Sequence, residues 1–237
     1  MIGPQLPLGV ELPQTATFDA FVGNGNAEIR AALVAVVTAQ GARQFYLHGP
    51  PATGKTHLLQ AASRAAAAAG QRSAYVPLAE VGDQGAGLLA GMQTLACVCV
   101  DDVSMIAGQR AMELAMIGLI DGLRANGGQL LIADRYPPAE LTFALPDLAS
   151  RLGWGSVFAL VEPDDADKQQ LLMRRAAQRG MQLPAATAQY LLRHGSRDVP
   201  SLMALLARLD TASLAAQRRL TIPFVKQVLA RQVHEKG

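Results

Sequence analysis

The residues with the clearest chemical potential lie in the segment "YLHGPPATGKTHLL", residues 46–59. It fits the pattern G-x-x-x-x-G-K-[ST], with Gly49, Gly54, Lys55 and Thr56 in the required places. In this pattern backbone N–H groups and a helix N-terminus bind phosphates, the lysine meets the β and γ oxygens, and the hydroxyl binds Mg²⁺. An apolar strand precedes the segment and a helix follows it, so the sequence predicts a nucleotide phosphate loop. A glycine-rich turn that binds nothing is the alternative.

Acidic residues follow two other predicted strands. "LACVCVDDV" ends a buried strand in Asp101 and Asp102, and "LLIAD" ends another in Asp134. One carboxylate at such a strand end can hold Mg²⁺ and the next can orient an attacking water. Asp134 could sense the γ-phosphate or the water. The alternatives are a capped turn for the aspartate pair and a turn or N-cap role for Asp134.

One arginine also occupies a notable place. "LPDLASRLGWG" puts Arg151 between a short helix and the last predicted strand. A single exposed arginine is ordinarily a solvated surface residue, and the spacing leaves that interpretation open.

The order of elements predicts an α/β fold. From residue 29 to 160 helices alternate with short apolar strands, including a helix around Ala86–Leu95, which indicates a parallel P-loop sheet with helices on both faces. After Pro163 only helical periodicity remains, which indicates a small all-helical domain. We therefore expect an extended tail over residues 1–14, an α/β nucleotide-binding domain over 15–162 and a helical domain over 163–237.

Composition narrows the class of protein. The chain has 237 residues and 50% hydrophobic content, and no apolar run reaches the length of a bilayer span, so we expect a soluble protein. Its two cysteines, Cys97 and Cys99, alternate on one strand and are expected to be reduced core residues; a metal role would need further ligands. Residues 164–237 carry 12 Lys and Arg against 6 Asp and Glu. This excess of positive charge could bind an acidic partner or nucleic acid, or it could lie on solvated helix faces.

The amino-terminal peptide "QLPLGV", Gln5–Val10, is apolar and broken by proline and glycine. Pro4, Pro7 and Pro13 exclude a helix or central strand, and no secretory signal pattern is present. From the peptide alone, a frayed terminus and an extended docking peptide are both open.

Six segments together resemble the AAA+ domain of the DnaA replication-initiator family over about residues 15–232. They are "TFDAFVGNGN", "YLHGPPATGKTHLL", "VCVDDVSMIAG", "LLIADRYPPAEL", "LPDLASRLGWG" and "LTIPFVKQVL". The resemblance implies ATP or ADP with Mg²⁺ as cofactors, Asp101 and Thr56 as metal-side residues, Asp134 as first sensor, and Arg151 as an arginine finger acting on a neighbour's nucleotide. It also implies the nucleotide-binding residues Phe21, Val22, Gly49, Pro50, Pro51, Ala52, Thr53, Gly54, Lys55 and Thr56.

A regulatory branch of that family resembles this chain further, because the chain ends where an initiator would continue into its DNA-binding domain. The amino-terminal peptide resembles a motif that binds the DNA polymerase III sliding clamp, the β subunit, with Gln5, Leu6, Leu8 and Val10 as its contacts. This implies a cytoplasmic negative regulator that stimulates ATP hydrolysis by DnaA on the DNA-loaded clamp, with a homo-oligomer possible, no membrane partner and only indirect or weak DNA contact. A replicative helicase loader and an autonomous P-loop kinase or ATPase remain the alternatives.

Two departures from the pattern concern ATP hydrolysis. AAA+ ATPases usually carry glutamate where this chain has Asp102, although initiators also resemble this sequence in having aspartate there. The second sensor arginine of the family would fall at Pro200, with Arg197 one helical turn earlier. We therefore expect at most a weak intrinsic ATPase, with ADP as a resident ligand.

Overall fold

The computed structural model describes residues 12–13, 15–38, 43–81, 85–195 and 198–234. Within them the chain divides into two compact units. The first contains residues 12–21 and 25–161, and the second contains residues 22–24 and 162–234.

The first unit is built on one five-stranded sheet in which every pair of neighbouring strands is parallel. The strands are β1 (Arg43–His48), β2 (Ser73–Pro77), β3 (Cys97–Asp101), β4 (Gln129–Asp134) and β5 (Ser156–Ala159). Their spatial order is β2-β3-β4-β1-β5. The predicted parallel α/β sheet is confirmed.

The described residues of this unit form five α-helices: α1 (Ala27–Thr38), α2 (Lys55–Ala68), α3 (Gly85–Ala90), α4 (Arg110–Ala125) and α5 (Pro146–Leu152). The helix predicted around Ala86–Leu95 is present but shorter, because α3 ends at Ala90. The N–H of Met92 bonds to the carbonyl of Leu89 at 3.1 Å, which closes a tighter turn than an α-helix has. Gly91, a weak helix former, stands at the point where α3 gives way to this turn.

Alternate side chains of the strands enter two separate cores, one on each face of the sheet. On β3, Val98 and Val100 pack with the apolar side of α4, while Cys97 and Cys99 pack with α1 and α2. Both cysteines are fully buried and free, which confirms that they are core residues. Burial of both faces explains why the central strands are continuously apolar.

In the second unit the part of the chain that the structure describes forms four α-helices: α6 (Asp165–Gln178), α7 (Ala185–His194), α8 (Val199–Ala216) and α9 (Ile222–His234). Asp164 caps α6 by accepting the N–H of Asp167 at 2.7 Å, and Asp198 caps α8 by accepting the N–H of Ser201 at 2.7 Å. Leucines on the inner faces of these helices form a third core.

We expected no segment long and apolar enough to span a bilayer, and helix α8 contradicts that prediction. Its 18 residues make it long and apolar enough to cross a membrane by length and composition. Four leucines of α8 lie buried in the third core, Leu202, Leu205, Leu206 and Leu209, and the other residues of the helix are partly or fully exposed.

Candidate functional site: a phosphate loop and a separate arginine

The register of the sheet brings three predicted site segments to one edge. His48, the last residue of β1, lies beside Asp134 at the end of β4, and Asp101 at the end of β3 lies beside Ala133. The phosphate loop follows β1 directly, so it meets both acidic strand ends. This is the carboxyl edge of the sheet, where open α/β folds bind ligands.

The two glycines of the phosphate loop have conformations and surroundings that a side chain would not fit. Gly49 has φ +147°, and a Cβ there would lie 2.5 Å from the carbonyl oxygen of Leu160. Gly54 has φ +95°, and a Cβ there would lie 2.6 Å from the ring of Phe21. Ala52 is also left-handed, with φ +65°. The loop is therefore held in the tight shape that lets backbone amides approach a phosphate.

Lys55 folds back over this loop. Its Nζ donates to the carbonyl of Gly49 at 2.7 Å and to that of Pro50 at 2.9 Å. Burial lowers the pKa of Lys55, while the carboxylates of Asp101, Asp102 and Asp134 act in the opposite direction. The ammonium thus stands between the loop and the acidic strand ends, where it can pair with a phosphate oxygen.

The first turn of α2 supplies further donors. Helix α2 starts at Lys55, and Gly54 before it makes no side-chain cap, so the N–H groups of the first turn remain available to an anion. Thr53 is buried and its hydroxyl bonds to the carbonyl of Pro50 at 3.0 Å, whereas Thr56 is exposed. Thr56 is therefore the loop hydroxyl that could reach a metal ion.

Asp101 is almost fully buried and is tied to the neighbouring strand. Its Oδ2 accepts the Tyr75 hydroxyl at 2.9 Å. Within the described parts of the chain, no group of three or more His, Cys, Asp or Glu side chains could hold a metal ion. A Mg²⁺ ion here would need phosphate oxygens together with Asp101 and Thr56.

Asp102 differs from its neighbour in exposure and in backbone shape. It is exposed and left-handed, with φ 57° and ψ 52°, a conformation that non-glycine residues rarely adopt outside functional sites and turns. Desolvation, followed by the carboxylates of Asp101 and Asp134, raises the pKa of Asp102. A positive ion placed among these carboxylates would relieve their repulsion.

Asp134 uses both carboxylate oxygens in backbone bonds. Oδ2 accepts the N–H of Ser104 at 2.6 Å, while Oδ1 accepts those of Arg135 at 2.6 Å and Tyr136 at 3.3 Å. This is the turn role that the sequence left open. A sensor role stays a prediction, and Oδ2, which accepts one bond, retains a lone pair with which to accept a hydrogen bond from a water.

The two apolar residues expected beside an adenine belong to different units. Phe21 is buried in the first unit, against Gly54 of the phosphate loop. Val22 belongs to the second unit. The role of Phe21 as part of a nucleotide wall fits its contact with the loop, and that of Val22 stays a prediction.

Arg151 lies at the opposite edge of the sheet from the phosphate loop. Gln44, the second residue of β1, donates its Nε2 to the carbonyl of Arg151 at 2.7 Å and to that of Leu152 at 2.9 Å. The loop leaves β1 after His48, four residues later. At about 3.3 Å per residue, this separates the two ends by roughly 13 Å. Arg151 therefore does not belong to the phosphate loop of its own chain.

The guanidinium of Arg151 is not the solvated surface group that the sequence left open. Its Nε bonds to Asp121 at 3.1 Å and its Nη1 to Asp147 at 2.5 Å, and its side chain is only 20% exposed. Its Cζ also lies 5.1 Å from the centre of the Trp154 ring. Hydrogen bonds to the two aspartates raise the pKa of Arg151.

Sequence reasoning missed two residues that fix α5, the helix that carries Arg151. Gln44 holds its last turn, as described above. Glu113 on α4 is fully buried and accepts the N–H groups of Gly108 at 2.8 Å, Ala144 at 3.0 Å and Leu145 at 2.7 Å. The available signal was a charged residue beside Met112 and Met116 in an otherwise apolar part of the α4 sequence.

The remaining predictions concern the second-sensor position and the clamp-binding peptide. Pro200 lies exposed in the first turn of α8. Arg197 lies outside the described residues. The predicted clamp-binding residues also lie outside them: Gln5, Leu6, Leu8 and Val10.

The sheet, the phosphate loop and the helical second unit define an AAA+ fold. Residues 165–229, which span most of the second unit, match the family model described as "Hda, lid domain". The second unit is in this respect similar to the Hda lid domain.

Solved structures with the same fold include several initiators. Domain III of the Thermotoga maritima replication initiation protein DnaA is similar with a TM-score of 0.78 and 20% identity, covering 94% of this chain and 98% of that one. AMPPCP-bound DnaA from Aquifex aeolicus gives 0.69 and 21%, covering 83% and 65%. The Thermotoga maritima RuvB Holliday junction branch migration motor gives 0.68 and 18%, covering 92% and 72%. A DNA replication initiation factor gives 0.72 and 21%, and the chain spans 66% of its length.

Proposed function

We propose that this chain is a negative regulator of replication initiation. Bound to the DNA-loaded sliding clamp, it supplies Arg151 to the nucleotide of a DnaA molecule and stimulates hydrolysis of that ATP. The match of the helical unit to the Hda lid and the DnaA-type fold support a DnaA-related replication protein. Action through the sliding clamp and through Arg151 goes beyond this support and is what we propose.

The position of Arg151 is the observation that carries this proposal. Its backbone is bonded to Gln44 at the amino end of β1, whereas the phosphate loop follows the carboxyl end of the same strand. An arginine so placed can act on a nucleotide held by another subunit, where it neutralises charge that develops during phosphoryl transfer. Its own loop cannot use it.

The same chain binds an adenine nucleotide in residues 49–56 under this proposal. Two structures with this fold contain AMPPCP, and the glycines, Lys55 and the first turn of α2 supply the donors that phosphates need. Asp101 and Thr56 complete a Mg²⁺ site with the phosphates. Because Pro200 carries no charge in α8, intrinsic ATP hydrolysis is slow and ADP is the resident ligand.

The amino-terminal peptide makes the clamp contact in this account, with Leu6 and Leu8 entering an apolar groove of the β subunit. A short extended motif of this kind binds through a few anchors. The protein then works in the cytoplasm, near DNA that it contacts weakly or only through the clamp.

A pull-down with the purified protein as bait, with and without ADP, tests the proposal. Purified sliding clamp and DnaA are offered together with DNA, and retention of both is expected only when the clamp is loaded. Retention of a replicative helicase in place of DnaA, when both are offered, would favour a helicase loader. Hydrolysis or phosphate transfer by the chain alone at a typical enzyme rate would favour an autonomous ATPase or kinase.

A further inference from the structure

A cavity of about 390 Å³ opens at the amino edge of the sheet, beside Arg151 but outside its ion pairs. We call it the Trp154 groove. Its lining includes Arg43, Phe45, Leu123, Arg124, Leu130 and Trp154. The groove lies wholly within the first unit, between the start of β1, the end of α4 and the segment that leads into β5.

The groove has an apolar floor and a cationic rim. Phe45, Leu123 and Leu130 are buried below it, while the Arg43 and Arg124 side chains are exposed. Among the described residues that line the cavity, none is acidic. Among the residues that the structure describes, neither arginine forms an ion pair with a carboxylate, although Arg151 nearby has two.

Trp154 makes this surface unusual for a solvated one. It is 46% exposed, whereas tryptophan is highly buried on average. The Cζ atom of Arg124 lies 4.8 Å from the centre of its ring, and that of Arg151 lies 5.1 Å from it. Exposed tryptophan with arginine beside it is the composition that protein interfaces favour.

We infer that the Trp154 groove binds an acidic segment of the AAA+ partner whose nucleotide Arg151 serves. An apolar side chain of that segment packs on the floor, and its carboxylates pair with Arg43 and Arg124. The inference rests on the proposed function, and it adds the surface that recognises the partner. Charge complementarity selects the occupant, because the described lining of the cavity carries two arginines and no carboxylate.

A nucleic acid would be a poorer occupant of this groove. Its phosphates could pair with the arginines and one base could stack on Trp154. The buried residues of the lining, Leu123, Leu130 and Phe45, supply no hydrogen bonds to a base edge. The Nε2 group of Gln44 is already bonded to the carbonyls of Arg151 and Leu152. An aliphatic or aromatic side chain of a peptide fits such a floor.

A segment bound in the groove would also fix the position of the partner relative to Arg151. Gln44, which lines the cavity, holds the backbone of Arg151, and Trp154 contacts its guanidinium. A segment bound there therefore docks next to the arginine. We expect the groove to govern the affinity for the partner and Arg151 to govern the rate of hydrolysis once the complex has formed.

Charge reversal separates these two effects. Arg43→Glu and Arg124→Glu should each raise, about tenfold or more, the concentration of regulator that half-maximally stimulates DnaA ATP hydrolysis on clamp-loaded DNA, because like charges oppose docking. The maximal rate should stay close to that of the unaltered chain. Arg43 is the cleaner test, since no contact between its side chain and Trp154 or Arg151 is seen. Arg110→Glu, at the start of α4 and outside the groove, is the matched control.

The outcomes distinguish the groove from the proposed function. If both reversals match Arg110→Glu while Arg151→Ala is inactive, the groove is not the docking surface. If the unaltered chain does not stimulate DnaA, the proposed function fails and this inference fails with it. Trp154 is the chain's only tryptophan, so its fluorescence reports occupation directly. Quenching by oligo(dT) that Arg43→Glu abolishes would assign the groove to single-stranded DNA and overturn the acidic-segment inference.

Discussion

The carboxylate of Glu113 accepts the N–H of Leu145 at 2.7 Å, and Leu145 is the residue that immediately precedes α5. The same carboxylate accepts the N–H of Gly108, which follows the turn that begins after Asp102. One fully buried side chain thus links the segment after the acidic end of β3 to the start of the helix that carries Arg151. A buried carboxylate without hydrogen-bond partners would destabilise the fold. The three backbone N–H groups that Glu113 accepts remove that penalty.

Glu113→Gln should destabilise the protein and reduce its stimulation of DnaA. Glutamine keeps one acceptor, but its NH₂ group faces a backbone N–H that the carboxylate formerly satisfied. A hydrogen bond to a charged group contributes about 1.5–3 kcal/mol, so we expect a loss of about 2 kcal/mol in the free energy of unfolding, measured with urea. Glu80→Gln, at an exposed position, is the control. Equal unfolding free energies for the two variants would show that Glu113 does not hold α5.

Lys55→Ala should weaken ADP binding, because it removes the ammonium that reaches over the phosphate loop. A charge-assisted bond of this kind corresponds to a loss of roughly 10-fold to 100-fold in affinity. Isothermal titration calorimetry with ADP and Mg²⁺ measures it. Lys168→Ala on α6 controls for the loss of one positive charge. If Lys55→Ala binds ADP as tightly as the control, the loop is not a phosphate site.

Asp102→Asn should stabilise the nucleotide-free protein at neutral pH. The folded state raises the pKa of Asp102, so its charged form is disfavoured on folding. The advantage of asparagine should be full above that raised pKa, shrink as the pH falls through it, and vanish below the unfolded-state pKa. Thermal melts of both proteins across acidic pH measure this. An advantage that stays constant with pH would mean that charge repulsion is not its cause.

Substitution of Gln5 and Leu6 by alanine should abolish clamp binding and leave the melting temperature unchanged. Short peptide motifs bind through a few anchors, so the loss of two removes most of the affinity. Surface plasmon resonance on immobilised β subunit measures the affinity, and a Glu11→Ala variant serves as the control next to the motif. Unchanged affinity of the double variant for the β subunit would show that the amino-terminal peptide does not bind the clamp.

The sequence predicted the sheet and the phosphate loop because both depend on local patterns. A short apolar run such as β3 indicates a buried strand in any α/β protein. The glycine and lysine spacing from Gly49 to Lys55 likewise indicates a phosphate loop. The bonds of Glu113 and Gln44 were not predictable in this way, since each joins segments about 30 or more than 100 residues apart. Asp121 as a partner of Arg151 was missed for the same reason, because it reaches the arginine only through the packing of α4 on α5. Asp147 lies four residues before Arg151 on α5, so this local pair could have been predicted from the helical spacing.

The central claim is that Arg151 acts on the nucleotide of DnaA. Its loss should leave ADP and clamp binding intact, because its contacts are with Asp121, Asp147 and Trp154 rather than with the phosphate loop. An arginine finger contributes about 10³–10⁵ in rate in other phosphoryl-transfer systems. Lysine should not replace it, since a point charge does not reproduce the planar guanidinium.

The most direct measurement is the fraction of labelled ATP converted to ADP on DnaA, with clamp and DNA present, for the unaltered chain, Arg151→Ala, Arg151→Lys and the control Arg110→Ala. The account predicts full conversion with the unaltered chain and with Arg110→Ala, and almost none above the unstimulated level with either Arg151 variant at saturating concentration. Conversion by Arg151→Ala equal to that of the unaltered chain would contradict it.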